Sequence, residues 1–107
     1  VDDTLVVNVG AVGLPFDGDR RASYGRMTWD GCRWQAEIVR LTYDWQRTER
    51  AFDDEGFLEG GGPLVRLHLA EMREARSQLF SWMHLYEEDI RAGRITVADA
   101  VDRWLAR

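Results

Sequence analysis

The residue types that most often carry chemistry in proteins are few in this chain and far apart. Its two histidines, His68 and His84, are sixteen positions apart on one predicted helix, which is more than four turns, so they cannot bind the same metal ion. The single cysteine, Cys32, lies beside a predicted turn without a nearby histidine that would activate it as a nucleophile. The chain taken alone therefore predicts no catalytic residue and no set of metal ligands.

The same polar residues have structural interpretations. His68 falls beside an apolar helical stripe and is interpreted as a packing residue, whereas His84 is predicted to face solvent. Acidic clusters stand at the ends of predicted elements, where carboxylates offset the helix dipole or are solvated. These clusters are Asp2-Asp3, Asp53-Asp54 and Glu87-Glu88-Asp89. No Ser-His-Asp set and no G-x-x-x-x-G-K-[ST] phosphate loop occurs in the sequence.

The composition restricts the class of protein. The 107 residues are 45% apolar and include five tryptophans, which suits one small domain with a packed core. Fourteen basic and nineteen acidic side chains give a net charge of −5, which disfavours binding to duplex nucleic acid or to anionic lipid. No apolar run reaches the roughly 18 residues of a membrane span, and a lone cysteine fits a reducing compartment. We therefore expect a cytoplasmic protein with neither a membrane nor a nucleic-acid duplex as its partner.

Residues 1–44 are predicted to form strands joined by a long loop. The β-branched run at 4–9 is typical of a strand that is buried on both faces. The stretch 10–21 contains three glycines and a proline and predicts a loop of unusual length. Because long ordered loops often serve function, this segment is the first candidate for a site.

A β-hairpin is predicted after the loop, with arms Ala22–Trp29 and Arg33–Tyr43. The dipeptide Asp30-Gly31 accepts the positive φ angles of a type I′ turn. The hydrophobic alternation changes phase at Ile38-Val39, which predicts either a bulge or a strand covered on both sides.

Residues 45–107 are predicted to be a helical extension. Asp44 is expected to cap a short helix that ends near Asp54, and three consecutive glycines at 60–62 interrupt the pattern. A long amphipathic helix is then expected from Pro63 to about Arg91, roughly 40 Å in length. Its predicted apolar stripe comprises Leu64, Leu67, Met72, Ala75, Leu79, Met83, Tyr86 and Ile90.

The last helix has start and stop signals of its own. Gly93 is expected to end the long helix as its C′ residue. Thr96 and Asp99 resemble a capping box in which aspartate replaces the usual glutamate. The following helix is predicted to direct four apolar side chains inward, namely Val97, Val101, Trp104 and Leu105.

The long loop and the start of the hairpin carry a recognisable motif. The segment Asn8-Val9-Gly10-Ala11-Val12-Gly13-Leu14-Pro15-Phe16-Asp17-Gly18-Asp19-Arg20-Arg21-Ala22-Ser23-Tyr24 resembles one in the calcineurin-like metallophosphoesterases. In the small bacterial phosphodiesterase and diadenosine-tetraphosphatase-like branch it reads roughly N-P-G-S-V-G-x-P-R-D-G-D-x-R-A-S-Y. The family continues with a hairpin, a V-x-Y-D stretch and an amphipathic helix, to which 40–54 is similar. The resemblance covers about residues 4–55.

The resemblance implies an α+β fold class. Residues 1–44 would supply the strand, long loop and β-hairpin of the C-terminal portion of a two-sheet β-sandwich, and residues 45–107 would be the helical C-terminal extension. The family hydrolyses phosphate esters with a hydroxide that bridges two divalent metal ions, Mn, Fe or similar. Its D-x-H, G-D, G-N-H and G-H-x-H ligand motifs all precede the matched segment, and none occurs here.

The chain is accordingly expected to be the carboxy-terminal part of such an enzyme. A missing N-terminal half would be its partner and would hold both metal ions, so this segment alone would bind no metal and would be inactive. The expected substrate is a phosphorylated small molecule or nucleotide that contains a phosphate mono- or diester.

The resemblance also nominates substrate-binding residues. Asn8 matches a family asparagine whose amide fixes the loop or reaches toward substrate, and Gly10 and Gly13 match glycines that let the backbone approach the site. Arg21 matches the later arginine of the motif. An alternative for Arg21, and for the aspartates at 17 and 19, is that they only staple the loop.

Three positions depart from the family pattern. Val9 replaces a proline, Ala11 replaces a serine and Phe16 replaces an arginine. The last two changes remove a hydroxyl and a cation, so these two positions are not expected to contact phosphate directly.

A second class of function stays open from the sequence. The long amphipathic helix could form the interface of a non-enzymatic interaction module or of a homo-oligomer. Its apolar stripe is too long for two strand arms to cover, which is the observation behind this alternative. Nucleic-acid binding is a third possibility that the acidic balance disfavours.

Overall fold

The computed structural model describes residues 3–107 and shows a mixed α+β chain, as the sequence predicts at that level. A two-stranded antiparallel sheet comes first and the helices follow it. In chain order the elements are β1 Ala22–Trp29, β2 Trp34–Leu41, α1 Trp45–Asp54, α2 Phe57–Gly60, α3 Val65–Glu74, α4 Leu79–Arg91 and α5 Val97–Leu105. No helix in residues 3–107 combines the length and apolar character needed to cross a bilayer.

The two hairpin strands pair without interruption, from Ala22 opposite Leu41 to Trp29 opposite Trp34. The bulge predicted at Ile38-Val39 is therefore wrong. The hydrophobic alternation changes phase because apolar side chains lie on both faces of the strand. No packed layer restricts them to one face.

The predicted type I′ turn is also wrong. Gly31 has a φ of 96°, whereas Asp30 does not adopt a positive φ. Instead, the Asp30 carboxylate accepts hydrogen bonds from the N–H groups of Cys32 and Arg33, both at 2.8 Å. Because the side chain satisfies these donors, a loop of four residues, 30–33, closes the hairpin with only one left-handed residue.

Residues 4–9 do not form the predicted buried strand. The segment has no regular secondary structure and pairs with no strand among the described residues, and Val6 is 85% exposed. It contacts the hairpin through Val9, whose Cγ1 lies 2.5 Å from the position a Cβ on Gly25 would occupy. A strand buried on both faces needs neighbours on both sides, and the described residues supply none.

The short first helix agrees with the sequence, and the long one does not. Asp44 caps α1 by accepting a hydrogen bond from the Arg47 N–H at 3.0 Å, as predicted. The long helix predicted from Pro63 to Arg91 is instead two helices, α3 and α4, separated at 75–78. The unpredicted helix α2 is held on α1 by an edge contact between Phe52 and Phe57, with ring centroids 5.4 Å apart.

The hydrophobic core lies among α3, α4 and α5. Leu67, Trp82, Ala100 and Val101 form the buried cluster. Partly buried side chains pack around it, namely Leu79, Tyr86, Ile90, Ile95, Val97 and Trp104. Three residues of the predicted apolar sets, Leu64, Met83 and Leu105, are exposed instead. The break at 75–78 divides the predicted stripe of the long helix, so its members no longer share one face.

The predicted helix ends near the core are confirmed. Gly93 has a φ of 70°, and its N–H donates to the Ile90 carbonyl, while the Arg94 N–H donates to the Asp89 carbonyl. These two hydrogen bonds form a Schellman motif. At the start of α5 the Thr96 hydroxyl oxygen accepts from the Asp99 N–H at 3.1 Å.

The hairpin projects away from this core. The radius of gyration is 18.6 Å, against about 13 Å for a compact chain of this length. Between residues 27 and 38 one hairpin face is apolar and exposed; we call it the apolar hairpin face, and its residues are Met27, Trp29, Trp34, Ala36 and Ile38.

Candidate functional site

A cleft of about 490 Å³ lies between the loop at 8–17 and strand β2. Asn8 and Gly10 line one wall and Ile38 and Arg40 line the other, so the structure brings two of the four predicted site residues to one cavity. The cleft is mixed in character, since apolar carbon atoms surround a few polar groups.

The loop wall of the cleft is held by three residues that we call the clasp: Asn8, Gly10 and Ser23. The Asn8 Oδ1 atom accepts a hydrogen bond from the Gly10 N–H at 3.0 Å. Ser23 is 3% exposed, and its hydroxyl donates to the Val9 carbonyl at 2.6 Å. Its N–H donates to the Ala11 carbonyl at 3.0 Å, so the loop backbone is hydrogen-bonded to the start of strand β1.

Gly10 is required in the clasp for two reasons. Its φ is 79°, in the left-handed region that disfavours residues with a side chain. A Cβ at this position would also lie 2.6 Å from the Ser23 hydroxyl oxygen. By contrast, nothing lies within 4 Å of the position of a Cβ on Gly13, so no contact in residues 3–107 demands a glycine there.

Ion pairs hold the far end of the loop. The Asp19 carboxylate accepts hydrogen bonds from the Arg21 backbone N–H at 3.0 Å and from the Arg21 guanidinium, the shortest at 2.7 Å from Nη2. Asp17 accepts one from Arg40 Nη2 at 2.6 Å, and Arg40 Nη1 lies 3.7 Å from Asp19. Arg21 does not line the cleft, and its side chain pairs with Asp19 within the loop.

These pairs also set the charge of the loop. The hydrogen bond from Arg40 lowers the pKa of Asp17 below its ordinary value, and the hydrogen bond from Arg21 lowers the pKa of Asp19 well below its usual range. The same contacts raise the pKa of both guanidinium groups. All four groups are charged at neutral pH, and their charges compensate locally.

Sequence reasoning missed Arg40 and Arg20. Arg40 interrupts an apolar strand between Val39 and Leu41, and that interruption was the available signal. The Arg20 guanidinium lies 3.3 Å above the Trp45 ring and so joins the loop to helix α1. Nothing in the local spacing indicates this second contact.

The other candidates for chemistry stay apart from the cleft. His84 is exposed as predicted, and the half-exposed His68 contacts the buried carboxylate of Glu71, with 3.1 Å between Nδ1 and Oε2. Cys32 is exposed at the hairpin tip. Within residues 3–107, no group of three His, Cys, Asp or Glu residues could hold a metal ion.

Comparison of the chain with protein-family models, with curated proteins and with solved structures finds no match.

Proposed function

We propose that this chain is the C-terminal segment of a two-metal-dependent phosphoesterase that hydrolyses phosphate mono- or diesters. In this proposal the chain supplies one wall of the active site and none of the metal ligands. The carrying observation is the clasp: Asn8, Gly10 and Ser23, which stand in register in the family-like motif, meet beside a single cleft.

The clasp suggests how Asn8 would act. Its amide oxygen is engaged by the Gly10 N–H, so the amide NH₂ is the group left to donate to an oxygen of a phosphate ester. The hydrogen bond within the loop fixes the side chain before substrate arrives, which reduces the entropy lost on binding. Arg40 borders the same cleft, but Asp17 already compensates its charge.

The metals do not fit the residues described here, since no suitable ligand cluster is present in that part of the chain. We therefore place both divalent ions (Mn, Fe or similar) on the N-terminal half of the proposed enzyme and derive no step of the reaction through them. The residues of this chain shape the cleft and orient a phosphorylated small molecule or nucleotide.

The apolar hairpin face supports a partner of this kind. Trp29 and Trp34 are 53% and 55% exposed and pack against each other in a tilted arrangement, with ring centroids 5.5 Å apart and an angle of 60° between the ring planes. Contiguous exposed apolar surface marks an interaction site in soluble proteins. In the proposal the rest of a β-sandwich, which belongs to the N-terminal half, covers this face and the exposed segment at 4–9.

The coding sequence that precedes Val1 gives the first test. We expect it to encode a G-H-x-H motif in frame; a coding sequence that extends upstream without such a motif contradicts the proposal. The isolated 107 residues should show only background hydrolysis of bis-p-nitrophenyl phosphate with Mn²⁺, and clear metal-dependent turnover would contradict the assignment of all metal ligands to the other half.

The second test uses the extended protein. Asn8→Ala should reduce kcat/KM for that substrate by about tenfold to a hundredfold, because a hydrogen bond to a charged oxygen contributes about 1.5–3 kcal/mol. Thr28→Ala, an exposed change on β1, is the matched control and should leave kcat/KM unchanged. An Asn8→Ala enzyme with normal kcat/KM would remove Asn8 from the site.

The alternative is a non-enzymatic interaction module, and the surface that supports it is no longer the one expected from the sequence. The long helix proposed as its interface is divided at 75–78, so the apolar hairpin face becomes the surface that favours this alternative. Reversible association of the isolated chain in sedimentation equilibrium, abolished by Trp34→Ser, would support it. A chain that stays monomeric at about 0.1 mM would exclude self-association as its function.

A further inference from the structure

The break between α3 and α4 has no local cause in the sequence. Residues 73–79 contain neither glycine nor proline and consist mostly of good helix formers. Nevertheless Ala75 has a φ of 51°, and it is the one non-glycine residue in the described chain with a positive φ. This conformation costs about 1–2 kcal/mol for alanine, so contacts elsewhere have to stabilise it.

Glu71 supplies those contacts. It is 2% exposed, and its Oε1 atom accepts hydrogen bonds from the N–H groups of Gln78 and Leu79, both at 2.8 Å. These are two of the unpaired donors at the start of α4, which has no side-chain cap from its own N-cap residue. A carboxylate from the preceding helix thus caps the following one.

The Glu71 contacts are possible only when the helix is broken. In a continuous helix the Cα atoms of Glu71 and Gln78 would be about 10.5 Å apart along the axis, beyond the reach of the glutamate side chain. The Leu79 N–H would then donate to the carbonyl of Ala75, four residues before it. Breaking the helix transfers this donor to Glu71 and leaves the Ala75 carbonyl without its helical partner.

The freed carbonyl of Ala75 accepts a hydrogen bond from the N–H of Gly18 at 2.9 Å. Gly18 lies between Asp17, which holds the loop at 10–21 to Arg40 of β2, and Asp19, which pairs with Arg21 at the end of the same loop. The helix junction and the loop of the candidate site are therefore joined by one exchange of hydrogen-bond partners.

We propose that Glu71 is a positioning residue for the loop at 10–21. By capping α4 it keeps Ala75 in the left-handed conformation and presents the Ala75 carbonyl to Gly18. The alternative conformation is a continuous α3–α4 helix in which Leu79 reclaims that carbonyl and the loop loses its anchor. The inference rests on the proposed phosphoesterase function, because it names the residue that positions the loop of that site. Its test measures no hydrolysis, so a failure of the Glu71 proposal is distinguishable from a failure of the proposed function.

The test measures amide hydrogen exchange and Cα chemical shifts in the isolated chain. Glu71→Ala should raise the exchange rate of the Gly18 amide by tenfold or more and shift the Cα resonances of 75–78 toward helical values. A merely structural role would instead lower the helical content. Glu71→Gln keeps an acceptor oxygen and should retain Gly18 protection to within about threefold.

Glu74→Ala is the matched control, because Glu74 is an exposed acidic residue on the same helix whose carboxylate contacts the side-chain amide of Gln78 rather than its backbone N–H. It should leave Gly18 exchange unchanged. Unchanged Gly18 protection and unchanged shifts at 75–78 in Glu71→Ala would overturn the proposal. Equal loss in Glu71→Gln and Glu71→Ala would also overturn it, because the acceptor oxygen would then not be what matters.

A second variant keeps the proposal testable if Glu71→Ala unfolds. Ala75→Gly removes the penalty of the left-handed conformation and disfavours a continuous helix, so Gly18 exchange should slow by about fivefold. An exchange rate of the Gly18 amide that is unchanged or faster in Ala75→Gly would overturn the proposal. The amide of the buried Val101 reports global stability in each variant and separates a local change from unfolding.

Discussion

The helices α3, α4 and α5 bury Leu67 and Val101 completely, whereas the hairpin leaves Trp29 and Trp34 more than half exposed. The helical region is stabilised by apolar packing around one cluster. The hairpin and its preceding loop are held by the clasp, by ion pairs and by the stacking of Arg20 on Trp45. A two-stranded sheet of this kind is marginal in isolation.

The contrast separates two kinds of stability in one small chain. The helical region buries an apolar cluster, so substitutions of its buried residues report on folding, although Phe80 and Met83 on α4 are exposed. In the hairpin region, polar contacts fix the shape of the loop, whereas the apolar hairpin face is exposed and available to another surface. Substitutions in the first region should act on global stability, and those in the second should act on the loop.

The largest effect is expected in the helical core. Leu67→Ala should lower the free energy of unfolding by about 2–5 kcal/mol, because it removes a fully buried side chain and leaves a cavity. Leu85→Ala, on the half-exposed face of α4, is the control and should cost less than about 1 kcal/mol. Urea unfolding followed by circular dichroism measures both, and equal losses would show that the core is not where the structure places it.

A smaller and local effect is expected at the clasp. Gly10→Ala should destabilise the closed loop by about 2 kcal/mol, because it forces a side chain to a φ of 79° and toward the Ser23 hydroxyl. Gly13→Ala has open space and should change loop stability by less than about 0.5 kcal/mol. Amide exchange of Ser23 is the measurement; a loop that tolerates both changes equally would contradict the role of the clasp.

The smallest effect is expected from protonation of the loop carboxylates. The pKa values of Asp17 and Asp19 are lowered in the folded loop from an ordinary value of 3.8, so their ionised forms stabilise it. This contribution is fully present above about pH 4 and is lost as the pH falls toward the folded pKa values. Gly18 exchange, corrected for intrinsic rates, should accelerate below pH 4 while Val101 stays protected, and Asp17→Asn should weaken this dependence. A flat profile would contradict it.

The residues with strong local signals were predictable. The hairpin arms, the Asp44 cap, the Gly93 helix end and the Thr96 cap each depend on a side chain and backbone only a few residues away, and each agrees with the structure. Predictions from the sequence were wrong where one local pattern is compatible with two different structures. The carboxylate of Asp30 replaced a type I′ turn, and a run of helix formers around Ala75 concealed a break.

The residues of the candidate site also differ in whether the sequence could predict them. Asn8 and Gly10 lie at the cleft where the motif suggested a site, and both were nominated only by the resemblance of that motif. Arg40 reaches Asp17 from a position 23 residues away, and Ser23 closes on Val9 from 14 residues away. No sequence spacing specifies such contacts, because they depend on how the loop folds back across the hairpin.

The amino-acid sequence by itself determined the α+β order of elements, the hairpin arms, the starts of α1 and α5 and the end of α4, because these depend on interactions between near neighbours. Only the tertiary structure decided that the long helix breaks at Ala75, since the buried Glu71 carboxylate and the Gly18 N–H compete for groups that a continuous helix would pair internally. Local propensity cannot anticipate that exchange, because one of its partners comes from a loop more than fifty residues earlier in the chain.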